Sequence, residues 1–374
     1  MGAIYEDFVS IGPGTLAGRF LRNFWQPVAL SGSLVLKRSM PIRILGEDFT
    51  LYRGLSGAAH LVAPQCPHRG VSLALGRVIG NNIECLYHGW NFGPDGHCTA
   101  QPAEDSEFKK DVCIATYPVH EALGLIFAYL GRGDPPAFPV LDVFKEGRIE
   151  NRASYRPWPF FAQIENSVDE THFNFVHRGT KFDEIGMNTQ IPMLTCEKTA
   201  YGMRRLAMRG GAVREGYFFM PNWSLSSKYE HEEGWSDHVV WRVPIEDHAH
   251  ISFTCEIFYQ NSVEREAYDK AMQAKHIKRQ SMGSALDLMK EIVAGKMHID
   301  EVPTDHPDII LIQDGVVCSA QRFHKDRATE YLGASDRQVV MLRRLWGAEL
   351  KSLNAGKNLT LWKVPHDLKT SRGI

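Results

Sequence analysis

Two short segments constrain the fold of this chain more than any others, because each carries metal-binding side chains. Residues 66–70 read CPHRG, and a second segment begins 15 residues after Gly70, where residues 85–90 read CLYHGW. Each segment supplies one Cys and one His, and each contains a glycine that lets the backbone turn tightly. If the two segments hold one metal centre, they must meet in the folded chain.

Two kinds of metal centre accept a set of two Cys and two His. Tetrahedral zinc is one, and the other is a Rieske [2Fe–2S] cluster, in which two Cys hold one iron and two His hold the other. Zinc loops usually place two or more residues between paired ligands, whereas one residue separates Cys66 from His68. Loops that each supply one Cys and one His can each reach both irons, so the spacing favours the cluster.

The composition of the 374 residues excludes several other classes of protein. The 42 basic and 44 acidic side chains give a formal net charge of −2, whereas a nucleic-acid-binding domain is basic. No apolar run approaches the roughly 20 residues of a membrane helix, and residues 1–10 lack the basic start of a signal peptide. The seven Cys are an odd number, which disfavours a disulfide framework. We therefore expect a cytoplasmic protein that binds neither membranes nor nucleic acids.

The patterns of apolar residues and turns predict two domains behind an N-terminal segment at residues 1–30. Short apolar runs between Gly, Pro and Asn turns predict a small all-β domain over residues 31–135, which ends in the Gly/Pro-rich sequence GRGDPPAFP. Residues 136–374 combine predicted strands with helical patterns and are predicted to form an α+β domain with an antiparallel sheet. The predicted strands include Tyr155 to Asn166 and stretches of Gly216 to Tyr259, and helices are predicted over Glu264 to Lys296 and Ser335 to Leu353.

A second group of metal-binding side chains lies at residues 165–177, which read ENSVDETHFNFVH. Two imidazoles and one carboxylate form the facial triad of non-haem Fe(II) oxygenases. On a regular helix, the five residues from His172 to His177 would rotate the side chain by about 140° net, so we predict that the helix ends or distorts between them. Asp169 precedes His172 by three residues and is predicted to accept the ring N–H of a ligating His.

The motifs CPHRG and CLYHGW resemble the Rieske motif of Rieske non-haem iron oxygenases. Residues 22–30, RNFWQPVAL, resemble the opening of the phthalate dioxygenase and vanillate O-demethylase branch, and the resemblance extends to about residue 346. It implies a Rieske domain followed by a catalytic domain of helix-grip type that holds a mononuclear iron, with the N-terminal segment packed on the catalytic domain. The cluster ligands would be Cys66, His68, Cys85 and His88.

The pattern D-x-x-H-x₄-H resembles the mononuclear-iron motif of the same family and follows His88 at a similar distance, about 84 residues. The match implies that His172 and His177 bind the iron. It also implies that Asp169 carries electrons from the cluster to the iron across a subunit boundary of a head-to-tail trimer, and that Asn166 lies near the iron.

The third iron ligand comes from residues 308–321, DIILIQDGVVCSAQ, which resemble the late helix of the family. In that helix a carboxylate after a short apolar run completes the triad, which implies Asp314 as the ligand. Asp305 and Asp308 are the nearby alternatives.

The resemblance implies the terminal oxygenase component of a multicomponent system. Electrons would come from a separate reductase, with or without a ferredoxin, and O₂ would hydroxylate or O- or N-demethylate a carboxylated aromatic substrate. A cis-dihydroxylating ring dioxygenase is the alternative within the family. An electron-transfer Rieske protein with a non-catalytic second domain is the alternative of another class. A homotrimer or a dimer of trimers is the expected assembly.

The sequence also suggests roles for a group of arginines and for the remaining Cys. Four arginines could pair with a substrate carboxylate or form a solvated basic strand face, and these are Arg204, Arg205, Arg209 and Arg214. Five Cys outside the two motifs are predicted to be buried apolar residues, and these are Cys98, Cys113, Cys196, Cys255 and Cys318.

Overall fold

The computed structural model describes residues 6–105, 111–140, 142–145, 147–230, 234–321 and 330–368. Over these ranges the chain forms an N-terminal half of short strands and a C-terminal half built on one large antiparallel sheet with helices. This is the predicted α+β class with a separate all-β unit, and the prediction is confirmed. None of the described helices is both long and apolar enough to span a membrane.

The N-terminal half contains three small antiparallel sheets, and two of them carry the CPHRG and CLYHGW loops. The first sheet has the order β1-β11-β10, with β1 at Gln26–Leu30, β10 at Val119–Ala122 and β11 at Leu125–Ala128. The second has the order β2-β3-β4-β9, at Ser39–Ile44, Glu47–Arg53, Ala59–Val62 and Thr116–Tyr117. The third has the order β5-β6-β7-β8, at Arg77–Ile79, Asn82–Glu84, Asn91–Phe92 and Cys98–Ala100.

The C-terminal half is a seven-stranded antiparallel sheet of order β12-β18-β17-β16-β15-β14-β13. Its strands are β12 Arg148–Arg156, β13 Met193–Lys198, β14 Gly202–Arg209, β15 Ala212–Phe219, β16 Trp223–Glu230, β17 Gly234–Glu246 and β18 Ala249–Phe258. The helices are α3 Phe160–Val168, α4 Phe173–Val176, α5 Lys181–Glu184, α6 Ser262–Ser281, α7 Ala285–Val293, α8 Ile309–Ala320 and α9 Arg337–Asn354. Short 3-10 helices lie at Ser31–Ser33, Leu73–Leu75, Asp142–Lys145, Ile299–Glu301 and Ala334–Asp336.

The N-terminal segment carries helices α1 (Glu6–Val9) and α2 (Leu16–Leu21), and both pack against helices of the C-terminal half. The ring of Phe8 stacks on Phe161 with 4.8 Å between centroids, and Phe20 meets the edge of Trp346 at 5.0 Å. Strand β1, in contrast, pairs with β11 of the N-terminal half. The domain boundaries after residues 30 and 135 stay predictions.

The structure corrects two boundaries that the residue pattern predicted. Strand β12 ends at Arg156, and residues 160–168 are helical where Tyr155 to Asn166 were predicted as a strand. Pro157 and Pro159 interrupt strand pairing between the two elements. The predicted helix over Glu264 to Lys296 is two helices, because Gly283 adopts φ +85° between α6 and α7. The predicted helix over Ser335 to Leu353 is confirmed as α9.

The two faces of the large sheet have different neighbours. Trp241 stacks on Trp223 at 5.3 Å and meets Phe127 of the first small sheet at 5.5 Å, which ties the two halves together. The next residue, Arg242, points to the opposite face, where its Nη2 donates to Ser167 Oγ of α3 at 3.3 Å. The α3 face is the one that carries the site described below.

A cavity of about 630 Å³ lies on the tryptophan face of the sheet. It is enclosed by Trp223, Trp241, the linker at residues 136–140 and residues 359–364 near the C-terminal end. Since the sheet separates it from α3, this cavity is not part of the site that contains His172 and His177.

Candidate metal centres

The two Cys/His loops have the same backbone shape. Cys66 N–H donates to Val71 O at 2.9 Å, and Gly70 N–H donates to Cys66 O at 2.9 Å. The second loop has the same two bonds: Cys85 N–H donates to Trp90 O at 2.8 Å, and Gly89 N–H donates to Cys85 O at 3.1 Å. Gly70 and Gly89 occupy equivalent positions with φ +73° and +71°, which glycine adopts at little cost. The loops therefore present the two Cys in matching positions, while the His follows after two residues in one loop and three in the other.

The four side chains of these loops converge as a metal centre requires. Cys66 and Cys85 are buried, and the half-buried rings of His68 and His88 lie 4.6 Å apart between centroids. His88 Nδ1 is buried, and no residue that the structure describes forms a hydrogen bond with it. Burial raises the pKa of the Cys66 thiol to about 11, and the adjacent Cys85 adds to this rise. Bound iron would reverse that shift, since coordinating thiols are deprotonated, so the donors fit a two-iron cluster.

The tip of this unit presents apolar side chains to solvent. Trp90 stacks on His68 at 4.6 Å with an interplanar angle of 6° and closes one side of the centre. Tyr87, beside His88, is 52% exposed, and Leu75 and Leu86 are also exposed. The histidine side of the centre therefore faces outward, where a second protein can approach it.

The second group of ligands is brought together by an interrupted helix. Helix α3 ends at Val168, and the single turn α4 ends at Val176, so His177 lies outside it with φ −102° and ψ 26°. The rings of His172 and His177 are consequently 5.1 Å apart between centroids. The predicted end of the helix between the two histidines is confirmed.

Asp314 of α8 completes a group of three side chains. Its Oδ1 lies 3.3 Å from His177 Nε2 and 3.6 Å from His172 Nε2, and the three potential ligand atoms all lie within 4.8 Å of one another. His177 Nε2 and Asp314 Oδ1 are both buried and make no hydrogen bond within the described part of the chain. Two imidazoles, one carboxylate and unpaired atoms aimed at one point fit a 2-His-1-carboxylate iron.

The alternative carboxylates are engaged elsewhere. Asp305 forms an ion pair with Lys278, and Asp308 accepts two hydrogen bonds from Arg279 at 2.6 and 2.7 Å. Asp314 is the carboxylate that the structure brings to the two histidines.

The ring N–H groups of both histidines have partners that orient the rings. His172 Nδ1 lies 2.7 Å from the backbone carbonyl oxygen of Asp169, and His177 Nδ1 lies 2.9 Å from Oε1 of Gln313. The prediction that the Asp169 carboxylate accepts a ring N–H is wrong. Asp169 is the residue that caps the end of α3, and its carboxylate accepts the backbone N–H of Thr171 at 2.8 Å instead.

The electrostatics of the site depend on close contact between these groups. Burial by itself would raise the pKa of Asp314, but the neighbouring His177, His172 and Asn166 hold that pKa below its ordinary value. Burial likewise opposes charge on His177, yet Asp314 keeps the pKa of His177 above its ordinary value. Asn166 is therefore close enough to Asp314 to affect the pKa of its carboxyl, and its place near the iron stays a prediction.

Gln313 was missed by sequence reasoning, because its role depends on a contact 136 residues along the chain. Replacing Gln313 by Met keeps the side-chain length and removes the acceptor for His177 Nδ1–H. We expect iron affinity to fall by about 10- to 100-fold, as for other hydrogen-bond partners of metal ligands. Titration of the iron-depleted protein with Fe(II) measures this, with Gln313→Glu, which keeps an acceptor, as the control. Unchanged affinity in Gln313→Met would contradict this role.

The four arginines have partners that neither prediction included. Arg204 pairs with Glu215 and Glu197. The other three surround the buried Glu170, and these are Arg205, Arg209 and Arg214.

The remaining Cys divide into two groups. Cys98, Cys255 and Cys318 are buried as predicted. Cys113 is exposed and Cys196 is half-buried, so the prediction is wrong for these two.

Comparison with known proteins identifies the part of the chain that carries the two Cys/His loops. Residues 24–118 match the family model described as Rieske [2Fe-2S] domain. That domain is defined by its cluster, in agreement with the four converging ligands. The match covers the two Cys/His loops and strands β1 to β9. The rest of the chain depends on comparison with whole proteins.

Curated relatives extend over both halves. The chain is 29% identical over 372 residues to the oxygenase subunit of 5,5'-dehydrodivanillate O-demethylase from Sphingobium sp., covering 94% of this chain and 81% of that protein. It is 34% identical over 240 residues to the oxygenase subunit of 3-chlorobenzoate-3,4-dioxygenase from Comamonas testosteroni, covering 59% of this chain. The match spans 55% of the latter protein, which is less than two thirds of its length.

Solved structures share the fold at low sequence identity. NdmA from Pseudomonas putida CBB5 aligns with a TM-score of 0.72 and 19% identity over 94% of this chain and 98% of that one. Dicamba monooxygenase aligns with a TM-score of 0.65 and 19% identity over 91% of this chain and all of that one. The structure and the comparisons agree. The chain has a β unit with two Cys/His loops and a sheet that positions a second group of ligands, and its relatives are named as oxygenase subunits. The chain carries a Rieske [2Fe–2S] domain, which implies the cluster, and its relatives are named as oxygenase subunits, which implies a mononuclear iron and O₂ as co-substrate.

Proposed function

We propose that this oxygenase uses electrons from a separate reductase, with or without a ferredoxin, to hydroxylate or O- or N-demethylate a carboxylated aromatic substrate. The observation that carries the proposal is the position of two half-buried arginines, Arg156 and Arg242, within electrostatic reach of Asp314. The name of the O-demethylase relative, which acts on a methyl ether, supports the reaction class.

We assign the metal ligands from the two converging groups. The cluster is held by Cys66, His68, Cys85 and His88, and the mononuclear iron by His172, His177 and Asp314. Support comes from the matching loops, the unpaired His177 Nε2 and Asp314 Oδ1, and the ring N–H partners that leave Nε2 of each histidine directed at the iron. When bound, such an iron offers open positions for O₂ beside the substrate.

The chain itself supplies binding and orientation. Gln313 orients His177, and the Asp169 carbonyl orients His172, so both imidazoles are positioned before substrate enters. In a demethylation, one oxygen atom of O₂ is inserted into a methyl C–H bond, and the hydroxymethyl group then leaves as formaldehyde. The second oxygen atom becomes water with two electrons and two protons, and the electrons come from the reductase.

We also propose that the cluster of one subunit serves the iron of its neighbour in a head-to-tail trimer, with Asp169 between the two centres. The exposed Tyr87 and Leu86 near the proposed cluster and the 55% exposed Phe175, six residues after Asp169, offer two apolar surfaces on different parts of the chain. A contact between unlike surfaces closes into a ring when its rotation allows. Sedimentation of the holoenzyme measures the assembly, and a monomer at micromolar concentration would contradict it.

The two arginines beside the triad account for the carboxylated substrate. Arg242 donates from Nη1 to Ser252 Oγ at 2.7 Å and from Nη2 to Ser167 Oγ at 3.3 Å. Its Nε is buried and unpaired, as are Nε and Nη1 of Arg156 at the end of β12. Both guanidiniums therefore keep buried donors that no described residue satisfies.

The charges of these arginines favour an anion. Burial lowers the pKa of Arg156 to about 10 and that of Arg242 to about 9, and Arg156 adds to the effect on Arg242. The negative charge of Asp314 raises the pKa of both arginines, so both guanidiniums lie within electrostatic reach of the triad. Two buried like charges are costly unless an opposite charge joins them. A planar carboxylate matches the hydrogen-bonding geometry of a guanidinium.

Replacing Arg242 by Gln is expected to raise KM for an aromatic acid by roughly 50-fold, because a hydrogen bond to a charged group contributes about 1.5–3 kcal/mol. The methyl ester of the same acid should be affected little. Product formation with the acid and its ester measures both values. The matched control is Arg152→Gln, since Arg152 lies exposed on the same strand as Arg156. An equal loss for acid and ester would contradict the assignment.

The reaction class is tested with the wild-type holoenzyme and a generic reductase on a panel of aromatic acids and their methyl ethers. Formaldehyde with a phenol indicates O-demethylation, a phenol alone indicates hydroxylation, and a cis-dihydrodiol indicates the dihydroxylating alternative. Reduction of the cluster without product from any compound would favour an electron-transfer protein and contradict the proposal.

A further inference from the structure

Glu170 is a buried carboxylate in the segment that carries Asp169 and His172. It is 2% exposed, and three arginines from the β14–β15 hairpin surround it. Arg205 Nη1 lies 2.8 Å from Oε1, Arg209 Nη1 lies 3.4 Å from Oε2, and Arg214 Nη1 also pairs with Oε1. We call these four residues the Glu170 clamp.

The charges and unpaired atoms of the Glu170 clamp are not those expected of a group that only stabilises the fold. Three positive charges meet one negative charge, and Nε of both Arg205 and Arg209 is buried with no hydrogen-bond partner among the described residues. Buried ion pairs often contribute no more stability than apolar side chains of similar volume. Planar guanidiniums, however, fix the orientation of a carboxylate from several sides. The clamp is therefore suited to holding one short segment in a defined place.

The hairpin reaches the candidate iron ligands by two routes. Arg209 Nη2 donates to the backbone carbonyl oxygen of Glu170 at 2.8 Å, directly after the Asp169 carbonyl that receives His172 Nδ1–H. Arg214 lies over the ring of Phe173 at 5.2 Å. Phe173 in turn contacts the rings of His172 at 4.5 Å and His177 at 5.3 Å. Movement of the clamp would shift both histidines.

The neighbouring strand leaves room for the most deeply buried arginine. Gly216 lies opposite Arg205 in the β14–β15 register. A Cβ at position 216 would come within 2.8–2.9 Å of the Arg205 guanidinium. Gly216→Ala therefore displaces Arg205 without changing the segment that carries the iron ligands.

We infer that Glu170 is a positioning residue that sets the affinity of the mononuclear site by holding Asp169 and His172 in place through the three arginines. This inference rests on the proposed iron site. It assigns no contact between Glu170 and metal or substrate. The negative charge of Glu170 is the necessary property, since a neutral side chain of the same shape would release the arginines.

The test compares Glu170→Gln and Glu170→Asp with the wild-type full chain. For Glu170→Gln, the visible spectrum of the cluster should be retained, while the affinity of the iron-depleted mononuclear site for Co(II) should fall by about 10- to 100-fold. Amide hydrogen exchange of residues 169–177 should become faster. Glu170→Asp keeps the charge and should recover part of the affinity. Arg204→Gln on the same strand, outside the clamp, should match the wild type in both measurements.

The outcomes separate this inference from the proposed function. Wild-type Co(II) affinity and wild-type exchange in Glu170→Gln would overturn the inference alone. Failure of Co(II) to bind the wild type, or binding that survives His172→Ala unchanged, would overturn the iron assignment itself. If Glu170→Gln does not fold, Gly216→Ala is the second variant. It should weaken Co(II) binding with the cluster spectrum retained, and unchanged binding would overturn the inference.

Discussion

Replacing Asp314 by Ala should remove the mononuclear iron, leave the [2Fe–2S] cluster in place and abolish product formation. Asp314 supplies the carboxylate of the triad, and its Oδ1 lies 3.3 and 3.6 Å from the two histidine Nε2 atoms. Loss of a mere hydrogen-bond partner of a ligand costs 10- to 100-fold in metal affinity, so loss of the ligand should cost at least about 100-fold. Iron content and the visible cluster spectrum measure the two centres separately.

The matched control for this variant is Asp308→Ala. Asp308 precedes the first residue of α8, on which Asp314 lies, and it pairs with Arg279 at the surface. Its replacement should leave both iron centres and product formation unchanged. If Asp314→Ala retained wild-type iron and activity while Asp308→Ala lost them, the third ligand would be misassigned.

Replacing Asp169 by Asn or Ala should abolish product formation while both metal centres remain. The Asp169 carboxylate accepts the backbone N–H of Thr171, and its backbone carbonyl orients His172. Asn keeps a side-chain acceptor at the end of α3 and loses the charge, so the segment should keep its shape. The loss should therefore lie in electron transfer from the cluster to the iron.

A single-turnover experiment separates that effect from loss of iron. The protein is reduced, freed of reductant and mixed with O₂ and substrate, and oxidation of the cluster is followed by visible absorbance. The wild type should oxidise its cluster as product forms, whereas Asp169→Asn with full iron content should keep its cluster reduced. Wild-type turnover in Asp169→Asn would contradict the role of this residue.

Local sequence was sufficient where the signal is a motif on one loop or one turn. The Cys66 and Cys85 loops each contain their ligands and the glycine that closes them, so their convergence could be predicted without a structure. The break between His172 and His177 could be predicted from helix geometry alone. Asp314, 137 residues further on, was found by its likeness to a known helix rather than by any local rule.

The roles of several other residues could not be predicted from the sequence, because they depend on contacts between distant elements. Gln313 reaches His177 from another helix, and Glu170 meets arginines that lie 35 to 44 residues further along the chain. Those arginines were predicted to bind substrate or to face solvent, because a sequence does not show which carboxylate they contact. Arg156 and Arg242, in contrast, gave no signal, since only the structure shows which of their nitrogen atoms are buried without a described hydrogen-bond partner.

The iron-to-sulfide ratio of the purified wild-type chain tests the central claim most directly. A [2Fe–2S] cluster and a separate mononuclear iron require about three iron atoms and two acid-labile sulfides per chain. We expect about three irons to two sulfides in the wild type and about two irons to two sulfides in His172→Ala. A wild-type chain with two irons and two sulfides after reconstitution with Fe(II) would contradict it, since the chain would then carry the cluster alone.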